Sequence, residues 1–254
     1  MEADYYNWML VFLRLGAFLL VLPFFSMANF PVTLRVALAA LGALLIAPLL
    51  PPFSLNNFDF VSLVGLMIQE VSIGLLLGFV ARLIFYAVDI AGSVISTEMG
   101  LNLAAIFDPM NQESSPIAGT VLVFLATVVM LTLNLHHWML LAFQESYTVL
   151  PIGGAHLSNA LFENIVAQTS NVFLIVLQLS APIIAASFVV TLIFSILSRA
   201  VPEMNVFSEM FGFRIVSGLI VFGFTLQLSA QYVANYLNRL PEDLLNVAQT
   251  MGGK

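Results

Sequence analysis

The chain has 254 residues, 61% of them hydrophobic and 8% charged, and a formal net charge of −7. A soluble domain carries about 25% charged residues, so this composition points to a polytopic membrane protein and argues against a water-soluble globule. The basic residues stand singly at Arg14, Arg35, Arg82, Arg199, Arg214, Arg239 and Lys254, which leaves no patch able to neutralise phosphates and so no nucleic-acid partner. Cysteine is absent, which removes disulfides, thiolate metal sites and catalytic thiols from consideration.

The first helical segment is expected from about Asn7 to Leu22. Glu2 and Asp4 precede its apolar run, and Arg14 interrupts it, a pattern unlike that of a cleavable signal. A second segment runs from Val32 to Leu50. Pro23 and Pro31 bracket the turn before it, and Pro48, Pro51 and Pro52 close it. The third, Val61 to Glu98, would be about 57 Å long at the helical rise, nearly twice the hydrocarbon thickness. It must either fold back on itself near its middle or lie in a protein assembly that rises from the membrane plane. Further segments are expected at Pro116 to Leu150, Ala160 to Ser198 and Phe211 to Arg239, with Pro151, Gly153 and Gly154 breaking the fourth. Asn164 to Ser198 contains no Asp, Glu, Lys or Arg, although Pro182 lies inside it. The last stretch, Leu240 to Met251, reads as a separate short surface helix with Pro241, Glu242 and Asp243 in its first turn. The scarcity of basic residues leaves membrane orientation open. No internal repeat or flexible linker divides the chain, so residues 1–254 are expected to form one integral unit without a separable soluble domain.

Glu70, Arg82, Asp89 and Glu98 fall within the third segment, where an unpaired charge facing lipid costs several kcal/mol. They are expected to face protein or water, with Arg14 or Arg35 as counter-charges for the acidic residues. Arg82 and Asp89 share a helical face but are about 10 Å apart in rise, too far for a direct pair. Gly74 and Gly78 have the small-xxx-small spacing that permits close helix packing. His136 and His137 are adjacent and so diverge around a helix, which disfavours joint metal binding. No zinc motif, phosphate-cradling loop or nucleophile elbow is present, so no enzyme, metal or cofactor is expected. The most polar interior stretch, Glu98 to Pro116, reads either as a solvated connector or as a compact loop that folds into a central passage.

Several fragments in order along the chain resemble the FliR family of flagellar type III export-gate proteins. They are Arg14, Pro23, Pro31 and Arg35; Gln69-Glu70 with Gly74 and Gly78; Ala91-Gly92 leading to Glu98, Gly100 and Asp108-Pro109; Leu150-Pro151-Ile152-Gly153; Ala181-Pro182; and Arg199 to Asn205. The resemblance implies an all-α, non-enzymatic membrane subunit of long bent helical hairpins within a hetero-oligomeric helical assembly. Its expected partners are FliP and FliQ, with FlhB nearby, together with unfolded exported flagellar proteins and membrane lipid. The implied location is the flagellar basal body in the bacterial inner membrane. The resemblance also implies a plug loop at Ile106, Phe107, Asp108, Pro109, Met110, Asn111, Gln112 and Glu113. Arg14, Arg35, Glu70, Arg82, Asp89, Glu98 and Arg199 are expected to be buried or to meet other subunits. The nearest alternative is the corresponding subunit of a virulence injectisome. A rival of another class is a small-solute secondary transporter using Glu70, Arg82 and Asp89 as ligands.

Overall fold

A computed structural model describes residues 2–26, 30–51, 60–101, 116–156, 158–201 and 206–253. The described residues form seven α-helices and no strand: α1 (Glu2–Val21), α2 (Val32–Ile46, followed by a 3₁₀ turn at Ala47–Leu49), α3 (Phe60–Glu98), α4 (Ile117–Thr132), α5 (Leu135–Val149), α6 (Asn159–Ala200) and α7 (Val206–Met251). Four of them are long and apolar enough to cross a bilayer, namely α2 with its 3₁₀ turn, α3, α6 and α7.

Two boundaries differ from the sequence expectation. The segment from Pro116 to Leu150 is not one helix, because Asn134 adopts a left-handed backbone with φ of 54° and separates α4 from α5. Asparagine tolerates that conformation better than most residues. Conversely, Leu240–Met251 is not a separate helix: α7 runs through Pro241 without a break. Leu237, Leu240, Leu244, Val247, Ala248 and Met251 are all buried, at spacings that keep one face inward across the proline. Packing of that face outweighs the hydrogen bond that Pro241 forfeits. The long third helix is likewise uninterrupted, with no fold-back at its middle.

The chain divides into two compact units, each assembled from separate stretches of sequence. The first comprises residues 1–83, 134–169 and 238–254, and so holds α1, α2, α5, the first part of α3, the start of α6 and the end of α7. Its core gathers Leu10, Phe18, Ile73, Leu77, Phe143 and Leu150, with the Phe18 and Phe143 rings stacked at 5.1 Å. The second comprises residues 84–133 and 170–237. There α3 and α4 approach so closely that a Cβ on Gly92 would lie 2.1 Å from the Cα of Gly119. Ser96 Oγ accepts a hydrogen bond from Ala118 N–H at 3.2 Å, which satisfies a donor in the first turn of α4 that has no partner within the helix.

Outside these cores the helices are apolar. Leu44, Leu45, Phe124, Phe173, Ile196, Phe213 and Phe224 are all exposed, far more apolar surface than a water-soluble monomer presents. Tyr5, Trp8 and Phe12 form a run of neighbouring rings along α1, the kind of amphipathic side chains that favour the headgroup level of a membrane.

Candidate functional site

Arg14 and Glu70 make the most buried polar arrangement in the first unit, both side chains being fully inaccessible. The Arg14 guanidinium donates through Nε to Glu70 Oε2 and through Nη2 to Oε1 at 3.0 Å, a two-pronged pairing. Its remaining nitrogen, Nη1, donates to the carbonyl of Leu150 at 3.1 Å, at the C-terminal end of α5. Cations suit that end, where helix carbonyls lack partners. The guanidinium carbon also sits 4.0 Å over the ring of Tyr147, within cation–π range.

The glycines of α3 make this pairing possible. A Cβ on Gly74 would lie 2.2 Å from the Arg14 carbonyl oxygen and 2.8 Å from Ala17 Cβ, and one on Gly78 would lie 2.8 Å from Val21 Cβ. Helix α1 therefore lies directly on α3 at these two positions, as small-xxx-small spacing allows.

The same cluster holds the turn after α5. Gly153 N–H donates to Glu70 Oε1 at 3.4 Å, and Gln69 Nε2 donates to the Ala155 carbonyl at 2.8 Å. Gly154 N–H closes the turn onto the Pro151 carbonyl at 3.0 Å, while Gly153 takes φ of 76°, a value that favours glycine. On its far side the segment is tied to the end of α7: His156 N–H donates to the Met251 carbonyl and Ser158 Oγ to the Thr250 carbonyl, each at 2.9 Å. Ser158 also caps α6 by accepting from Leu161 N–H at 3.1 Å.

In the second unit a chain of polar contacts links α3, α6 and α7. Ser187 Oγ donates to Glu98 Oε2 at 2.7 Å, Thr191 Oγ1 donates to the Ser187 carbonyl at 2.8 Å, and Arg214 Nη2 donates to Thr191 Oγ1 at 2.8 Å.

Arg35 is half-buried in the first turns of α2, and its Nε is shut off from solvent without a hydrogen-bond partner. Arg82 is half-buried and Asp89 exposed, both on α3, and Arg199 is exposed in the last turn of α6, where its charge suits the helix dipole. The segment Ile106–Glu113 lies outside the described residues. His136 and His137 bring their rings within 4.0 Å of each other, and among the described residues no three His, Asp or Glu side chains gather as a metal site. Tyr147, Ser96, Ser187, Thr191 and Gly119 carry no sequence motif. Their signal was limited to small or polar residues in otherwise apolar helices.

Helices of membrane-spanning length and apolarity, held together inside by a buried ion pair and glycine contacts, define a polytopic all-α membrane protein. The sequence pattern of the family described as bacterial export proteins, family 1, matches residues 5–240. The chain belongs to that family. It is similar to the flagellar biosynthetic protein FliR of Bacillus subtilis (strain 168), with 30% identity over 248 residues, 96% of this chain and 95% of the relative. The FliR of Escherichia coli (strain K12) is 29% identical over 92% of this chain and 89% of its own length. That of Caulobacter vibrioides is 30% identical over 85% of this chain and 87% of the relative.

Proposed function

We propose that this chain is a non-enzymatic subunit of the flagellar type III protein export gate, acting as one integral unit of residues 1–254. It contributes part of the channel for unfolded flagellar proteins, assembled with FliP and FliQ and with FlhB nearby, in the inner membrane at the flagellar basal body. The observation that carries this reading is the near full-length similarity to relatives named flagellar biosynthetic protein FliR. The broad exposed apolar faces of α4, α6 and α7 support it, because such faces suit neighbouring helices as well as lipid.

In this reading the gate is passive. Other components drive the substrate, and the loop Ile106–Glu113 closes the passage at rest through close packing of Ile106, Phe107 and Met110, for which a dry apolar constriction suffices. The buried ion pair and the glycine contacts keep the helices in one arrangement while the passage works. Arg82, Asp89 and Arg199 are then candidates for contacts with sister subunits.

Co-purification tests the assignment. Tagged chain extracted in mild detergent should bring down two other small multi-helix membrane proteins in a stable complex, and its deletion should stop flagellar protein export. A chain that runs alone and exchanges solute in liposomes would overturn the assignment in favour of a transporter.

A further inference from the structure

A groove of about 520 Å³ opens in the first unit between α1, α2 and α5, with Leu15, Leu19, Leu38, Leu41, Leu45 and Leu140 among its walls and only His137 and Gln144 polar. Its floor is set by Gly42, where an added Cβ would meet Leu15 Cδ2 at 2.6 Å, so α1 and α2 touch beneath it. Helix α2 itself is barely covered, with Leu38, Leu41, Leu44 and Leu45 all exposed.

On α2 the positions 35, 38, 42 and 45 recur on one helical face. Arg35 thus stands one turn beyond the groove, at the N-terminal side of Leu38, and is half-buried there. Arg35 also lies in the first turns of a helix that has no acidic residue in its first turn and no side-chain cap. A cation there opposes the helix dipole rather than complementing it. From Arg35 to Ile46 the helix rises about 16 Å, close to half of the ~30 Å hydrocarbon layer. Charge at one end and an aliphatic trough one leaflet deep match an anionic phospholipid.

We propose that this groove holds an acyl chain of an anionic phospholipid whose phosphate is received by Arg35. The acyl chain supplies apolar burial along Leu38, Leu41 and Leu45, and the phosphate supplies a counter-charge to the guanidinium. Lipid bound in this way would fix α2, a sparsely covered spanning helix, against α1 and α5. The inference needs only that the chain resides in a membrane, not that it serves an export gate.

The test uses full-length protein in nanodiscs containing phosphatidylglycerol or phosphatidylcholine, each with a photoactivatable acyl chain, followed by native mass spectrometry of the released protein. Wild type should retain phosphatidylglycerol about tenfold more than phosphatidylcholine and cross-link on peptides spanning Leu38–Leu45 and Leu140. Arg35→Gln should abolish the preference and Arg35→Lys restore much of it, while Leu41→Trp, which fills the trough from an exposed position, should reduce retention of both lipids. The wild-type preference and cross-link position stand without the variants, should either fail to fold. Equal retention of the two lipids by wild type, cross-links elsewhere, or displacement of the lipid by soluble glycerol phosphate would overturn the proposal. So would an absence of retained lipid coupled with loss of protein assembly in Leu41→Trp, the outcome for a groove that seats another protein's helix.

Discussion

Arg14 of α1 and Glu70 of α3, 56 residues apart in sequence, form a fully buried pair that also grips the turn after α5 through Leu150 and Gly153. The desolvation of two charges makes such a pair a weak source of net stability, yet removing one partner strands the other in an apolar interior. Arg14→Met or Glu70→Leu should therefore each destabilise the protein by about 3–5 kcal/mol. The double change Arg14→Met with Glu70→Leu should cost less than the sum of the singles, because no lone charge remains. It should not be neutral, since the Leu150 carbonyl and Gly153 N–H still lose their partners. Thermal unfolding in detergent, analysed as a double-mutant cycle, measures this coupling. Additive single effects would show that the pair is not energetically linked.

Five of the helical glycines fall into two groups with opposite expected responses. At Gly74 and Gly92 an added methyl meets fixed backbone at 2.2 and 2.1 Å, so Gly74→Ala and Gly92→Ala must push helices apart. Each should destabilise by about 1–3 kcal/mol or more, as overpacking does. Beyond their own helix backbone, Gly65, Gly212 and Gly223 have no heavy atom within 4 Å of the same added methyl. Alanine there should be neutral or stabilising by about 0.4–1 kcal/mol, through a less flexible unfolded chain. Melting temperatures of the five variants should fall into these two sets.

How much of this was legible in the sequence follows the range of each signal. The all-α membrane class came from composition and long uncharged windows, which need no tertiary information. The small-xxx-small spacing of Gly74 and Gly78 was visible, but its match to Arg14, Ala17 and Val21 depends on the register of α1 against α3, which no local pattern encodes. Arg14 could be named only as one of two counter-charges, because its choice of Glu70 follows from that register. The break at Asn134 has only a weak local signal, one asparagine between two leucines. At Pro241 the buried face running from Leu237 to Met251 outweighs the local tendency of proline to end a helix. Ser187 and Thr191 gave no warning, since hydroxyls in apolar helices usually bond their own backbone, and only the fold brings Glu98 and Arg214 to them.

The contact between Glu98 and Ser187 gives a sharper test of the second unit. Ser187→Ala removes the donor and leaves a half-buried carboxylate oxygen without it, which should cost about 1–3 kcal/mol. Glu98→Gln can still accept from Ser187 through its amide oxygen and should be milder. In the Ser187→Ala background, Glu98→Leu should restore part of the loss by removing the stranded group. Unfolding midpoints of the four proteins decide the matter, and a Ser187→Ala variant as stable as the parent would mean that solvent already serves Glu98.

On the proposed function, the segment Ile106–Glu113 is the part of the chain that seals the gate. Its apolar members, Ile106, Phe107 and Met110, are flanked by Asp108, Asn111, Gln112 and Glu113, a mixture that can pack as a plug while its polar members stay hydrated. A dry constriction blocks ions because they cannot shed water into apolar packing, so on this reading shortening the segment should remove the block. Deletion of residues 106–113 in an assembled gate should therefore raise resting ion conductance, measured in planar bilayers or as leakage from intact cells. Replacing Ile106, Phe107 and Met110 together by serine at constant loop length should raise it as well, since water then wets the constriction. A deletion gate that assembles normally and conducts no more than the parent would remove this loop from the seal.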